Sequence, residues 1–152
     1  MTRTALSICA SIFVGVLLSG SMLGDANAQR RGTAIAIGEM SAPGPLRGAL
    51  REALRDELGG VDGVQVTNAR RARYVLRGSV TRIDAEPQSE RLECEVSLIL
   101  ADRRGGNIRL ILEGRAAARL PDAEAEVARL RPEVLRAAVR GALRPLGQQR
   151  LR

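Results

Sequence analysis

The stretch LECEVSLILADRRGGNIRLILEGRAAA, residues 92–118, decides the fold class. Its first part alternates. Leu92, Cys94, Val96, Leu98 and Leu100 share one parity, and Glu93, Glu95 and Ser97 share the other. A period of two predicts a strand with one face in a core and one in water. RRGGN, residues 103–107, interrupts the pattern, and its glycines supply the positive φ that a hairpin loop needs. IRLILEGRAAA, residues 108–118, alternates again, with Ile108, Leu110 and Leu112 expected inward. Charge selects the register. Leu100 opposite Leu110 sets Leu98 opposite Leu112 and Glu95 opposite Arg115. A slip of two sets Glu95 opposite Glu113, and like charges directly across a ladder are destabilising. The first register is therefore expected.

Upstream, RARYVLRGSVTRIDAE, residues 71–86, predicts the strand that pairs with this hairpin, with EPQSE, residues 86–90, as the turn between them. Tyr74, Leu76 and Val80 share a parity that Ile83 breaks, so a bulge is expected, with Gly78-Ser79 as its natural place. GVQVT, residues 63–67, predicts a short strand, and TAIAIGEM, residues 33–40, a first strand. SAPGP, residues 41–45, cannot continue a ladder. In LRGALREALRDELGG, residues 46–60, Leu46, Leu50, Leu54 and Leu58 recur every fourth residue, which makes one apolar stripe on a helix. Gly59-Gly60 would end it through a left-handed cap. Residues 120–130 read as a loop or a short helix. Pro132 suits the first turn of a new helix, whose stripe runs from Val134 through Leu135, Ala138, Val139, Ala142 and Leu143 to Leu146, with Pro145 and Gly147 marking its end. The order is β-α-β-β-β-β-α. It predicts an α+β two-layer sandwich over residues 33–147: a largely antiparallel sheet of about five strands with two helices on one face.

The chain opens with a short basic start, an apolar run and a small-x-small site at Ala26-Asn27-Ala28. This is a secretory signal pattern, with cleavage expected after Ala28. Residues 29–32 would then be a linker and 148–152 a frayed tail. The alternative is that the apolar run stays as an anchor, but Ser11, Gly15, Ser19 and Gly20 break it, and a span needs about 20 predominantly apolar residues. Cleavage would remove Cys9 and leave Cys94 alone, so no internal disulfide could form. The formal net charge is +7, and every cation is arginine because the chain has no lysine. Part of that excess reflects the codon bias of a GC-rich genome. A positive surface still favours anionic partners such as lipid headgroups, cell-wall polymers or nucleic acid.

The strand "RARYVLRGSVTRID", the hairpin "CEVSLILADRRGGNIRLILEGRAAA" and a closing helix resemble a group of bacterial envelope domains. These are the curli-secretion lipoprotein, the lipoprotein activator of penicillin-binding proteins and the N-terminal domain of the Tol-system β-propeller protein. The matching positions are Ala72, Tyr74, Val75, Leu76 and Gly78 in the strand, then Val96, Leu98, Leu100, Asp102 and Gly106 in the hairpin. Arg73 stands where those domains carry an acid, and no cysteine is placed at the end of the apolar run. The resemblance implies a periplasmic accessory fold that works by binding; with these departures it does not support outer-membrane anchoring or secretion, and it carries over no catalytic residues.

The residues themselves exclude much chemistry. The chain has no histidine, so His-based acid–base and His–Cys nucleophile schemes are closed to it. Glu93 and Glu95 share a strand face that a carboxylate-pair enzyme could use, but such charges ordinarily sit in water. One mature cysteine and no histidine leave no transition-metal site, and no loop has a calcium-binding spacing. Neither SAPGPLRG nor RRGG has the spacing of a phosphate-binding loop. No cofactor is expected. Nucleic-acid binding would need exposed aromatics for stacking, and only Tyr74 is available, on the inward parity. The expectation is a non-catalytic secreted or periplasmic binding module, an accessory subunit of an envelope assembly. Its partner would be an envelope protein or an anionic cell-surface component. No nucleic acid is expected, nor any membrane contact beyond the leader. The candidate contact surface is Arg71, Arg73, Arg77, Arg82, Arg103 and Arg104.

Overall fold

The computed structural model describes residues 32–86, 90–120 and 124–148. The expected leader, linker residues 29–31, the middle of the 86–90 turn and tail residues 149–152 lie outside the described residues. The elements are β1 (Thr33–Ser41), α1 (Leu46–Gly59), β2 (Val64–Val66), β3 (Tyr74–Glu86), β4 (Arg91–Asp102), β5 (Ile108–Arg119) and α2 (Glu124–Gln148), in the expected order. The five strands form one sheet in the order β2-β1-β3-β4-β5. The long ladders β3–β4 and β4–β5 are antiparallel, while β1 runs parallel to both β2 and β3. The sheet is thus mixed, because α1 carries the chain back over the sheet after β1, and a crossover of that length permits parallel neighbours.

α1 lies against β1 and β2, α2 lies against β4 and β5, and the helices touch each other. Between them and the sheet is one aliphatic core. It holds Leu50, Leu54 and Leu58 of α1, Leu135, Val139 and Leu143 of α2, and the inward row Leu92, Cys94, Val96, Leu98 and Leu100 of β4. Tyr74 enters it at 1% exposure. The hairpin register is the one that charge selects: Leu100↔Leu110, Leu98↔Leu112 and Glu95↔Arg115. Arg115 Nε lies 3.2 Å from Glu95 Oε1.

Four expectations need correction. The bulge in β3 is at Thr81, since Val80 pairs with Val96 and Arg82 with Glu95, and not at Gly78-Ser79. Gly78 sits in the regular ladder opposite Leu98. A Cβ there would meet Leu98 Cδ2 at 3.1 Å and Leu54 Cδ1 and Met40 Sδ at 3.2 Å, so its small size makes room for α1. Second, Ile108 does not point inward. Leu100 pairs with Leu110 but Ala101 pairs with Ile108, so Arg109 is an extra residue in β5. That bulge turns Ile108 to the outer face, where it is 59% exposed. Third, α1 does not end through a left-handed glycine. Gly60 has φ −90°, and Gly60 and Val61 donate to the Glu57 and Leu58 carbonyls in a tightened last turn. Positive φ comes later, at Gly63. Fourth, the segment before Pro132 belongs to the same helix as the stripe after it. Pro132 removes one donor and crowds the Ala128 carbonyl, but both residues lie on an exposed side, where water can serve that carbonyl. Glu124 and Glu126 in the first turn favour the helix start.

The α2 backbone comes close to the sheet at Gly114 of β5. A Cβ at that position would collide with the Ala138 carbonyl oxygen and lie 2.7 Å from the Ala142 nitrogen.

Candidate functional site

Loop chemistry gathers four of the six candidate arginines at one end of the sheet. Before β3, the Asn68 side chain accepts the Arg71 N–H at 3.1 Å, and the Asn68 carbonyl accepts from Arg71 and Ala72. This turn presents Arg70 and Arg71 outward. Arg73 N–H then donates to the Ala34 carbonyl of β1, which fixes where the strand enters the sheet. The β4–β5 hairpin comes to the same place. Gly106, at φ +67°, donates to the Asp102 carbonyl and closes the loop. Arg103 N–H donates to the Arg73 carbonyl, and its Nε donates to the Ala72 carbonyl, both at 3.0 Å. Arg103 is therefore a strut between the hairpin and the start of β3. The Arg73 guanidinium lies 5.2 Å from the centre of the Tyr74 ring, a cation–π distance.

The result is an open groove of about 530 Å³, lined by Arg70, Arg71, Arg73, Arg103 and Arg104 with Asp102 and Asn107. Asp102, its one acid, is already engaged. Arg109 Nε donates to Asp102 Oδ2 at 2.8 Å and its Nη2 lies 2.7 Å from the same oxygen. That hydrogen bond, with the attraction of the Asp102 charge, raises the Arg109 pKa above its ordinary value. The other arginines face no competing carboxylate in the groove, which therefore favours an anion.

The remaining two candidates lie elsewhere. Arg77 is on the outer face of β3, directly across from Ile99. Arg82 lies past the Thr81 bulge, and its Nε is 3.3 Å from Asp84 Oδ2. It belongs to the opposite end of the face and not to the groove. Arg109 was missed at the level of sequence, since only the bulge brings it to Asp102.

Arg77 introduces a second feature. The row Arg77–Ile99–Ile111 crosses three strands on the outer face, and Ala101–Ile108 adjoins it toward the hairpin. Ile108 and Ile111 are 59% and 60% exposed. Without the bulge at Arg109 only one of them could face outward.

The carboxylate pair has a structural occupation: Glu95 is bound by Arg115 on that outer face. Cys94 is fully buried, and burial first, then the neighbouring Glu95 charge, pushes its thiol up to about 11. It is a protonated, enclosed thiol at neutral pH. Among the described residues no group of three acidic, His or Cys side chains is placed to hold a metal ion. Further ion pairs fasten α2 to α1. Arg140 donates to both Glu57 oxygens at 2.9 and 2.8 Å, and Arg136 reaches Asp56 at 3.2 Å. The Arg140 hydrogen bond holds the Glu57 carboxyl below its usual value.

The LptE family, described by the term lipopolysaccharide-assembly, matches residues 32–144, from the start of β1 to the last turns of α2. The chain belongs to the LptE family. It is therefore a bacterial cell-envelope accessory protein of a non-enzymatic family, which fits a periplasmic location. LptE is not one of the three families that the strand pattern resembles; the envelope setting and the α+β layout are what carry over. Solved structures share the fold. A Xanthomonas campestris protein is 16% identical, with a TM-score of 0.61 over 79% of this chain and 88% of that one. The PelC dodecamer of Paraburkholderia phytofirmans is 17% identical, with a TM-score of 0.57 over 76% and 89%. A minor lipoprotein of Acinetobacter baumannii is 20% identical, with a TM-score of 0.50 over 77% and 91%. At these identities the likeness is one of fold. No curated protein matches the chain.

Proposed function

We propose that this LptE-family chain serves lipopolysaccharide assembly as a non-catalytic subunit on the periplasmic side of the envelope. It binds an envelope protein of the transport machinery or the anionic surface component itself. The family match over essentially the whole described fold carries this reading. The groove supports it: Arg71, Arg73, Arg103 and Arg104, joined by Arg70, form a site whose only acid is neutralised by Arg109. Guanidinium groups bind phosphate and carboxylate by paired hydrogen bonds, and lipopolysaccharide carries such groups. The nucleic-acid alternative loses ground, because Tyr74, the one aromatic among the described residues, is buried and cannot stack on bases.

The test is depletion of the protein in its native bacterium, followed by surface labelling of lipopolysaccharide and measurement of outer-membrane permeability. Loss of surface lipopolysaccharide that is restored by the wild-type chain, and not by an Arg103→Glu/Arg104→Glu variant at equal protein level, is the expected result. Unchanged surface lipopolysaccharide on depletion would overturn the reading.

A further inference from the structure

Apart from the groove, the outer face of the sheet has an uncovered apolar end. Ile111 and Ile99 are cross-strand neighbours, and Ile108 is set beside them by the bulge at Arg109, opposite Ala101. On β3, Val75 pairs with Ala101 and Arg77 with Ile99. The two helices lie on the other side of the sheet, so nothing in the described chain covers this end. Exposed aliphatics scattered singly need no explanation, whereas a contiguous set placed by a backbone irregularity does. On the hairpin side the charge around it is of one sign, and Glu113 adjoins Ile111 on the far side. Arg77 lies within the row, and Arg103 and Arg104 stand at the hairpin tip that bounds it.

We infer that this end of the sheet is a docking surface for an anionic phospholipid bilayer. The Ile108 and Ile111 side chains enter the headgroup boundary, and Arg77, Arg103 and Arg104 lie against the phosphates. A flat apolar patch flanked by cations is the arrangement that holds interfacial proteins at such surfaces. The apolar area supplies depth and the arginines, whose aliphatic stems extend along the patch, supply attraction to the negative leaflet. A second copy is the poorer occupant. Isologous pairing would put the same cationic patch, with Arg77 in its row, on both sides of one interface. A lipid anchor on Cys94 is closed off by its burial, so contact through this face gives the chain a reversible hold of its own. This differs from the expectation that membrane contact ends with the leader. It goes beyond the proposed role in assembly and stands or falls separately from it.

The test is cosedimentation of the chain, purified as the cell exports it, with vesicles of phosphatidylethanolamine and phosphatidylglycerol or of phosphatidylcholine alone. Binding to the anionic vesicles, weakened by salt, is expected, with little binding to the neutral ones. Ile108→Ser/Ile111→Ser should weaken it by more than about tenfold at unchanged charge. Arg103→Gln/Arg104→Gln should weaken it by about tenfold or more. Arg55→Gln, on the exposed side of α1, should bind as wild type. Thermal melts of each variant confirm that the fold is intact. Failure to bind either vesicle, equal binding to both, or unaltered binding by the isoleucine pair would overturn the inference. So would binding confined to lipopolysaccharide aggregates, or a self-association in sedimentation equilibrium that Ile111→Ser abolishes.

Discussion

Gly114→Ala adds one methyl group where the α2 backbone lies close over β5. That carbon would overlap the Ala138 carbonyl oxygen and lie 2.7 Å from the Ala142 nitrogen and 2.8 Å from its Cβ. Two of these three atoms are helix backbone and cannot rotate aside. Carbon contacts settle near about 3.5–4.0 Å, so α2 must lift from β5 by about 1 Å or more. A gap of that size forfeits roughly a quarter to a half of each dispersion well along the contact. The stripe that loses contact includes Leu135, Ala138, Val139, Ala142 and Leu143, all buried. Overpacking ordinarily costs about 1–3 kcal/mol, and a rigid backbone obstacle places this case at or above the top of that range, about 3–5 kcal/mol. For a domain of this size the melting temperature should fall by about 10–20 °C. Two controls isolate the cause. A Cβ at Gly141, in the same helix, has the Arg115 carbonyl oxygen at 4.0 Å as its nearest neighbour. Gly141→Ala should therefore stabilise by about 0.5–1 kcal/mol, the usual gain from removing a helix glycine. Gly78→Ala meets only the flexible ends of Leu98, Leu54 and Met40 and should cost about 1–2 kcal/mol. Urea and thermal melts followed by far-UV circular dichroism read all three. A Gly114→Ala variant as stable as Gly78→Ala would refute the close approach of α2 to β5.

Other outcomes follow from exposure and titration. Leu112→Ala, at a site 4% exposed, should cost about 2–5 kcal/mol in urea melts, whereas Ile108→Ser and Ile111→Ser should each stay within about 0.5 kcal/mol. Reversal of that order would return Ile108 to the core. The Cys94 pKa is raised from 9.0 to about 11 in the fold. Its contribution to stability is thus complete below pH 9.0 and is lost as pH climbs toward about 11, because only the unfolded chain ionises readily there. Urea midpoints of Cys94→Ala should fall less steeply than wild type across that window, and a thiol reagent should label wild type only on unfolding. For Glu57 the sign is opposite. Its carboxyl is lowered from 4.5 by the Arg140 hydrogen bond, so its contribution is present above pH 4.5 and is lost as acid protonates it below. Arg140→Gln should flatten the acid limb of the stability curve, and only modestly, because the exposed Arg140 guanidinium is screened by solvent.

Much of the fold is legible because aliphatic parity and charge agree. Leu92 to Leu100 alternate without a break, and only one register sets Glu95 against Arg115, so pattern and electrostatics choose the same hairpin. What parity cannot show is a backbone that skips. Thr81 and Arg109 are ordinary strand residues, and nothing local marks them as extra. The bulges are set by where two strands, each fixed by its own inward row, come into mutual register. Gly114 escapes notice for a related reason. Its value lies in a helix more than twenty positions away, and no short-range signal encodes that approach. Pro132 misleads in the other direction, because its cost of about 3 kcal/mol or more in a helix interior is outweighed by the apolar stripe that follows it. In the site, the groove arginines could be gathered from their placement at a strand start and a hairpin tip. Arg82 could not be separated from them until the ladder showed how far along β3 it lies.

The outer face also explains why any contact should be made by one end. Toward the hairpin it presents Val75, Arg77, Ile99, Ile108 and Ile111. Beyond the row Ser79–Ser97–Glu113 it presents Glu95 with Arg82 and Arg115, then Glu93 opposite Asp84. An anionic surface attracts the first end and gains nothing from the second, where carboxylates answer the arginines one for one or exceed them. The sheet would therefore meet such a surface tilted, hairpin first, and would leave the β2 edge and both helices free for a protein partner. The bulge at Arg109 serves both features of that end, since it frees Arg109 to neutralise Asp102 in the groove while turning Ile108 out beside Ile111. Deleting Arg109 to restore the regular ladder should therefore separate the two, since the groove loses the partner that neutralises Asp102 while Ile108, still opposite Ala101, stays beside Ile111 and the core row from Leu92 to Leu100 remains paired.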